Sequence, residues 1–187
     1  MMNPFDLTES CDKMQTEIML EIAGQLAGVV AVILGFVSFQ MKTRRQILFS
    51  QIAAAAVFCV HYGLIGAVSG MVLNGVSVVR TIVYSNNDKK IFSGKYWTVI
   101  FAVIMGVLGL LSWQAWYSVF TVAGMVINTV CMSLKNPQNI RRSILVTSPL
   151  VLIYNCFVFS LGGIVYETVA IISAAIGLLR FYKKRTE

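Results

Sequence analysis

VHYGLIGAVSGMVLN (residues 60–74) and IYNCFVFSLGGIVYE (residues 153–167) write the same pattern twice. Each is an apolar stretch, a tight uncharged turn, and a second apolar stretch. Set side by side, they place His61 beside Tyr154, Tyr62 beside Asn155, Gly70 beside Gly163 and Asn74 beside Glu167. The likeness continues outward. GFVSFQMK (35–42) lies against NTVCMSLK (128–135), TRRQIL (43–48) against IRRSIL (140–145), and SVVRTIVY (77–84) against GLLRFYKK (177–184), with Arg80 opposite Arg180. The offset slips by about one helical turn between these blocks, so the order of the matches carries more weight than any single match.

Composition says what surrounds these stretches. Of 187 residues, 57% are hydrophobic and 12% charged, with a mean hydropathy of +0.76. A soluble domain carries about 25% charged residues, and one of this length still has to cover its surface with polar groups. The outer surface is therefore expected to face lipid. A bilayer core of about 30 Å needs about 17–25 apolar residues per helix. Seven stretches are read as spans: Ile22 to Met41, Gln46 to Gly63, Val68 to Ser85, Tyr96 to Leu111, Tyr117 to Leu134, Ser143 to Ser160 and Gly163 to Tyr182. The segment NNDKKIFSGK separates the third from the fourth, and KNPQN is a turn signal before the sixth.

The loops between these spans alternate between basic and uncharged. Fourteen of the fifteen Lys and Arg residues fall on one side, with Lys13 the exception, and five of the eight acids lie on the N-terminal arm. The positive-inside rule makes the basic side cytoplasmic. The expected fold is an all-α integral membrane protein with its N-terminus outside and its C-terminus inside. Its seven transmembrane helices form two parallel three-helix repeats and a linker helix. The expected units are an outer arm at 1–21 that includes a short interfacial helix, a first triplet at 22–85, and an inner loop with linker helix at 86–116. A second triplet at 117–182 and a basic tail at 183–187 complete the chain. The acidic N-terminus is not read as a signal peptide. In a parallel-repeat protein, solute sites sit at the repeat interface.

The segments VHYGLIG, LNGVSVVRT and GGIVYE…GLLRFYKKR resemble the bacterial inner-membrane YgjV family across nearly all of the chain after residue 22. The three-plus-one-plus-three layout is similar to the wider SWEET, SemiSWEET, PQ-loop and PnuC group, whose members carry sugars, amino acids or vitamin precursors. That likeness implies a bacterial inner-membrane location and triplets in which the third helix packs between the first two. The chain departs from SWEET-type proteins in its prolines. Only Pro149, in the sixth span, fits their pattern. Nor is the tryptophan-rich pocket of PnuC-type proteins matched, because Trp97, Trp113 and Trp116 fall at helix ends.

Polar groups inside apolar helices are costly and face a cavity or a partner helix. By that criterion His61, Tyr62, Asn74, Asn128, Tyr154, Asn155 and Glu167 are the candidate solute-binding residues; packing by interhelical hydrogen bonds is the alternative. Glu167 is also a candidate for proton coupling, either facing a central cavity with Asn74 or reaching outward to the water line. Arg80 and Arg180 are read as snorkelling to phosphates or forming an inner gate, and Pro149 as a kink or hinge. Gly24, Gly28 and Gly35 recur at helical spacing, which allows close helix packing.

No catalytic pair, phosphate loop or nucleophile triad appears, so no enzymatic activity is expected. The single His61 and the scattered Cys11, Cys59, Cys131 and Cys156 imply no metal site and no cofactor. The net charge of +7 is accounted for by the juxtamembrane basic clusters, which touch anionic lipid headgroups, and implies no nucleic-acid partner. The expected partners are a small-molecule solute and membrane lipids, with a second copy of the chain also allowed. The function read from the sequence is transport of a small polar solute. The alternative is a membrane scaffold or receptor-like protein that transports nothing.

Overall fold

The computed structural model describes the chain apart from residues 1–3, 41–43, 87–88, 93, 134–136 and 187. The side chains of 4–11, 38–40, 44, 45, 47, 137–141, 177 and 180–186 also lie outside the description. Among the described residues there are seven α-helices and no strand: α1 (Pro4–Gln40), α2 (Arg44–Leu64), α3 (Val68–Ser85), α4 (Tyr96–Leu111), α5 (Ser118–Met132), α6 (Pro137–Phe157) and α7 (Leu161–Thr186). Each stretch read as a span falls on one helix. The segment Asp12–Val37 of α1 and the whole of α3 are long and apolar enough to cross a membrane by length and composition. The other apolar segments are shorter. At 1.5 Å per residue the 16 residues of α4 reach about 24 Å, less than a bilayer core of about 30 Å. Of the seven expected spans, the first and the third lie on helices that meet the length and composition of a span among the described residues. The N-terminal arm is not a separate helix, because α1 continues it without a break.

Consecutive helices within each half pack as neighbours: α1 on α2, α2 on α3, α5 on α6 and α6 on α7. The third helix does not lie between the first two, as the SWEET-type resemblance implied. Instead α2 lies against both α1 and α3, and α6 against both α5 and α7. The physical reason is connection length. The α1–α2 link at 41–43 and the α5–α6 link at 133–136 are too short to carry the chain past an intervening helix. α3 also meets α5, and α7 returns to α1. Six helices therefore close a ring in the order α1–α2–α3–α5–α6–α7, and α4 docks on the α3–α5 seam.

The two tight hairpins close in the same way. α2 ends with Gly66 in the left-handed region, at φ 72°, and α6 ends with Phe159 there, at φ 52°. These two residues hold the same place in the two matched sequence segments. Ala67 N donates to Tyr62 O at 2.8 Å, and Ser160 N to Asn155 O at 3.0 Å. One turn of backbone bonding further on, Met71 N donates to Ala67 O and Ile164 N to Ser160 O. This is the left-handed helix stop that glycine favours, used once with glycine and once with a phenylalanine that accepts the strain.

Polarity is distributed as in a protein whose outside is lipid. Leu26, Ile33, Val79, Val103, Leu110, Val146 and Ile172 are exposed, while His61, Asn74, Arg80, Thr121, Thr129, Thr147 and Asn155 are buried. The main aromatic core, Phe58, Tyr62 and Tyr154 with Tyr117, Phe120 and Tyr166 against it, sits at the hairpin end of the ring.

Candidate functional site

Four of the seven candidate residues meet at the hairpin end, where the last turns of α2 and α6 face each other. Tyr62 Oη donates to Asn155 Oδ1 at 2.6 Å. Both residues are buried, so this bond joins matched positions of the two halves in a low-dielectric setting. Tyr154 Oη accepts from Gly70 N at 2.9 Å. Gly70 lies in the first turn of α3, whose N-cap residue Ala67 offers no side-chain cap. Tyr154 of the other half therefore satisfies one of the orphan donors at the start of α3. His61 completes the group. Its Nδ1 lies 2.7 Å from Gly24 O and its Nε2 2.6 Å from Ser160 Oγ. Because a carbonyl only accepts, the neutral ring carries its proton on Nδ1, and Nε2 accepts from Ser160. Ser160 Oγ in turn accepts from Gly163 N at 3.1 Å, capping α7.

One donor in this cluster has no partner among the described residues. Asn155 Nδ2 is buried and makes no hydrogen bond, although native proteins leave few such groups unsatisfied. The space around it is set by glycine, since a Cβ on Gly163 would lie 2.5 Å from Asn155 Cγ. A Cβ on Gly70, the matched position, would lie 2.8 Å from the Tyr62 ring and 3.1 Å from Tyr154 Oη.

Further ties between the halves come from residues that the sequence reading passed over. Gln25 of α1 donates through Nε2 to Phe159 O at 2.9 Å and accepts from Leu161 N at 3.2 Å, so its amide grips both sides of the α6–α7 turn. Gln114, in the α4–α5 connection, grips the α2–α3 turn likewise. It donates to Gly66 O at 2.9 Å and accepts from Ser69 N at 3.4 Å. Ser69 and Ser118 hydroxyls meet beside it at 3.2 Å. Gln25 was legible as a polar residue within an apolar span, the criterion that found the others. Ser160 was legible as a helix-start residue just after a helix stop.

The remaining candidates do not join the cluster. Asn74 donates to Gly70 O, one turn back on its own helix, at 2.9 Å. Glu167 is half-buried, and the polar side chain beside its carboxylate is Ser148 of α6, within its own half. It neither pairs with Asn74 across a cavity nor reaches outward unpartnered. Asn128 is half-buried on α5 and has no hydrogen bond among those described. Pro149 lies inside α6, which continues through it. Arg80 does not snorkel: it is 3% exposed, with Nη1 donating to Thr129 Oγ1 at 2.7 Å. The Arg180 side chain lies outside the described residues. The spaced glycines of α1 do allow close packing. A Cβ on Gly24 would lie 2.7 Å from the Ile65 side chain, and one on Gly28 2.9 Å from His61 Nδ1.

The chain belongs to the Imp-YgjV family of bacterial inner membrane proteins, whose family model matches residues 22–185. No curated protein and no solved structure matches the chain.

Proposed function

We propose that this inner-membrane protein carries a small polar solute by alternating access between two parallel three-helix units, 22–85 and 117–182, linked through α4. One observation carries the proposal: a buried polar cluster drawn from both halves holds a donor, Asn155 Nδ2, that the protein leaves unfilled. A solute that offers a hydroxyl, carbonyl or carboxylate oxygen fills it, and sugars, nucleosides and amino acids all qualify. The ring order supports the two-unit reading, because exchanging α1–α3 for α5–α7 leaves the neighbour relations of the ring unchanged. The paired turns support it as well.

In this reading the hairpin end is the outer gate, held shut. Tyr62–Asn155, Tyr154–Gly70 and the Gln25 grip cross between the units at that end, and the Gln114 grip ties the first unit to the linker. Each such hydrogen bond contributes about 1 kcal/mol net. Opening therefore costs an amount that solute contacts and new water contacts can offset, as a gate near balance requires. The short helices fit a bilayer by local thinning or by snorkelling of flanking residues. The charge bias puts the C-terminus inside. A C-terminal fusion to green fluorescent protein should therefore fluoresce while one to alkaline phosphatase stays inactive; the reverse pair overturns that orientation.

The direct test is thermal unfolding of the purified protein in detergent, screened over sugars, nucleosides and amino acids. At least one solute class should raise the unfolding midpoint, and Asn155→Ala should abolish the rise while Arg185→Ala in the basic tail leaves it intact. Equal loss in both variants would remove the residue assignment. A membrane scaffold that transports nothing is the second reading, and the mutual satisfaction of His61, Tyr62 and Tyr154 favours it. It prevails if no solute shifts the midpoint.

A further inference from the structure

Arg80 occupies the last turns of α3, where α3, α4 and α5 meet, away from the Tyr62–Asn155 cluster. Its guanidinium is buried, yet among the described residues it makes one hydrogen bond. Nη1 donates to Thr129 Oγ1, and Nε is buried without a partner. Thr129 can give no more. Its hydroxyl donates to Met125 O at 2.7 Å, with Met105 Sδ at 3.0 Å as the alternative acceptor, and is fully buried. Tyr84 Oη points to Thr129 O at 3.4 Å, and its ring meets Phe101 of α4 edge-on at 6.1 Å. Among the described residues no carboxylate reaches Arg80, since Asp12, Glu17 and Glu21 lie on the exposed part of α1 and Glu167 stands beside Ser148.

An unpaired cation held this way is expensive. Removing a guanidinium from water costs several kcal/mol unless a counter-charge and further hydrogen bonds offset it, and intramembrane ionisable groups are functional by default. A guanidinium presents its donors as a planar fork that matches two oxygens of a carboxylate or phosphate. Here the edge that carries Nε is the unfilled one. From α4, Met105 meets Thr129 and Phe101 meets Tyr84, the two residues beside the guanidinium. An unbranched thioether repacks easily, and α4 stands on the seam outside the six-helix ring. Access from the α4 side therefore requires movement of the linker helix alone, without breaking the ring.

We propose that Arg80, positioned by Thr129 and bordered by α4, is an oxyanion-binding site for a carboxylate or phosphate group, supplied either by a soluble anion or by an anionic lipid headgroup. The site stands whether or not the Asn155 cluster binds a solute.

The test uses the full chain purified in dodecyl maltoside, in chloride buffer at fixed ionic strength. One arm titrates inorganic phosphate or acetate. The other adds phosphatidylglycerol against phosphatidylcholine in mixed micelles. Near saturation the unfolding midpoint should rise by about 5 °C in at least one arm. The arm that responds identifies the source. Arg80→Gln should lose the rise and, freed of the buried charge, should unfold no earlier than the unsubstituted protein in chloride alone. Arg80→Lys keeps the charge but not the fork and should show less than half of the rise, which secures the test should Arg80→Gln fail to fold. Asn155→Ala should respond fully. The proposal is overturned if neither arm gives a rise, if extra chloride gives the same rise, or if Arg80→Lys or Arg80→Gln responds as the unsubstituted protein does.

Discussion

Gly162→Ala adds one methyl group where α7 crosses α1. A Cβ there would lie 2.7 Å from both Cα and the carbonyl carbon of Gly28, and 2.9 Å from its carbonyl oxygen. Carbon atoms in comfortable contact stand about 3.5 Å or more apart, so the two helices have to separate by about 0.8 Å. No flexible side-chain end is available to yield, because the obstacle is backbone. Such overpacking costs about 1–3 kcal/mol. The displacement also stretches the grip of Gln25 on Phe159 and Leu161, now 2.9 and 3.2 Å, and losing one of those bonds adds about 1 kcal/mol. Against this stands the gain in helix propensity from Gly to Ala, about 1 kcal/mol. The net is a loss of about 1–3 kcal/mol, or roughly 5 °C in the unfolding midpoint for a chain of this size. Gly106→Ala is the control. Nothing lies within 4 Å of a Cβ there, so only the propensity gain remains and the midpoint should rise. Tryptophan-monitored thermal unfolding in one detergent compares the two variants directly. If Gly162→Ala proves as stable as Gly106→Ala, the α1–α7 contact is not the close backbone crossing described, and the argument for the ring loses its tightest joint.

Two further outcomes follow from the hairpin end. Tyr154→Phe leaves the buried Gly70 N–H without its acceptor and should lower stability by about 1–3 kcal/mol; a change below about 0.5 kcal/mol in the same unfolding assay would mean that water or another group already serves it. Phe159→Gly removes a side chain from the left-handed region while giving up little packing, since Phe159 is 76% exposed, and should stabilise by about 1 kcal/mol. Gly66→Ala should cost about as much, and a shift of the same sign in both variants would contradict the matched-turn account.

Helix number and position were legible because the punctuation is chemical. Gly66 ends α2, the polar run through Asn86 ends α3, and Asn136 stands before α6, whose first residue is Pro137. Lateral packing was not legible from periodicity, which gives the apolar face of a helix and not its neighbour. The short α1–α2 and α5–α6 connections did hold that information, and they outweigh the resemblance that suggested an intercalated third helix. The same distinction divides the site. Sequence matching finds equivalent positions, but equivalent residues touch only if they lie near the line about which the halves are related. Tyr62 and Asn155 do. Asn74 and Glu167 are equally well matched, yet each has its polar neighbour within its own half. Of the two readings of Arg80 only snorkelling fails, because depth alone argues for it, whereas the direction of the side chain follows from α5 supplying Thr129.

Gln25 and Gln114 show why matching fails even where the two halves act alike. They grip corresponding turns through the matched carbonyls of Phe159 and Gly66, though through N–H groups one residue out of register, Leu161 and Ser69. One reaches from inside α1 and the other from the connection before α5. These are not matched positions in the chain. What the halves share is the demand made by each turn, an exposed carbonyl at Gly66 or Phe159 and an unpaired N–H just beyond it. Any amide that reaches from the other half can meet that demand. The correspondence therefore resides in the backbone of the turns, and side chains from different places answer it.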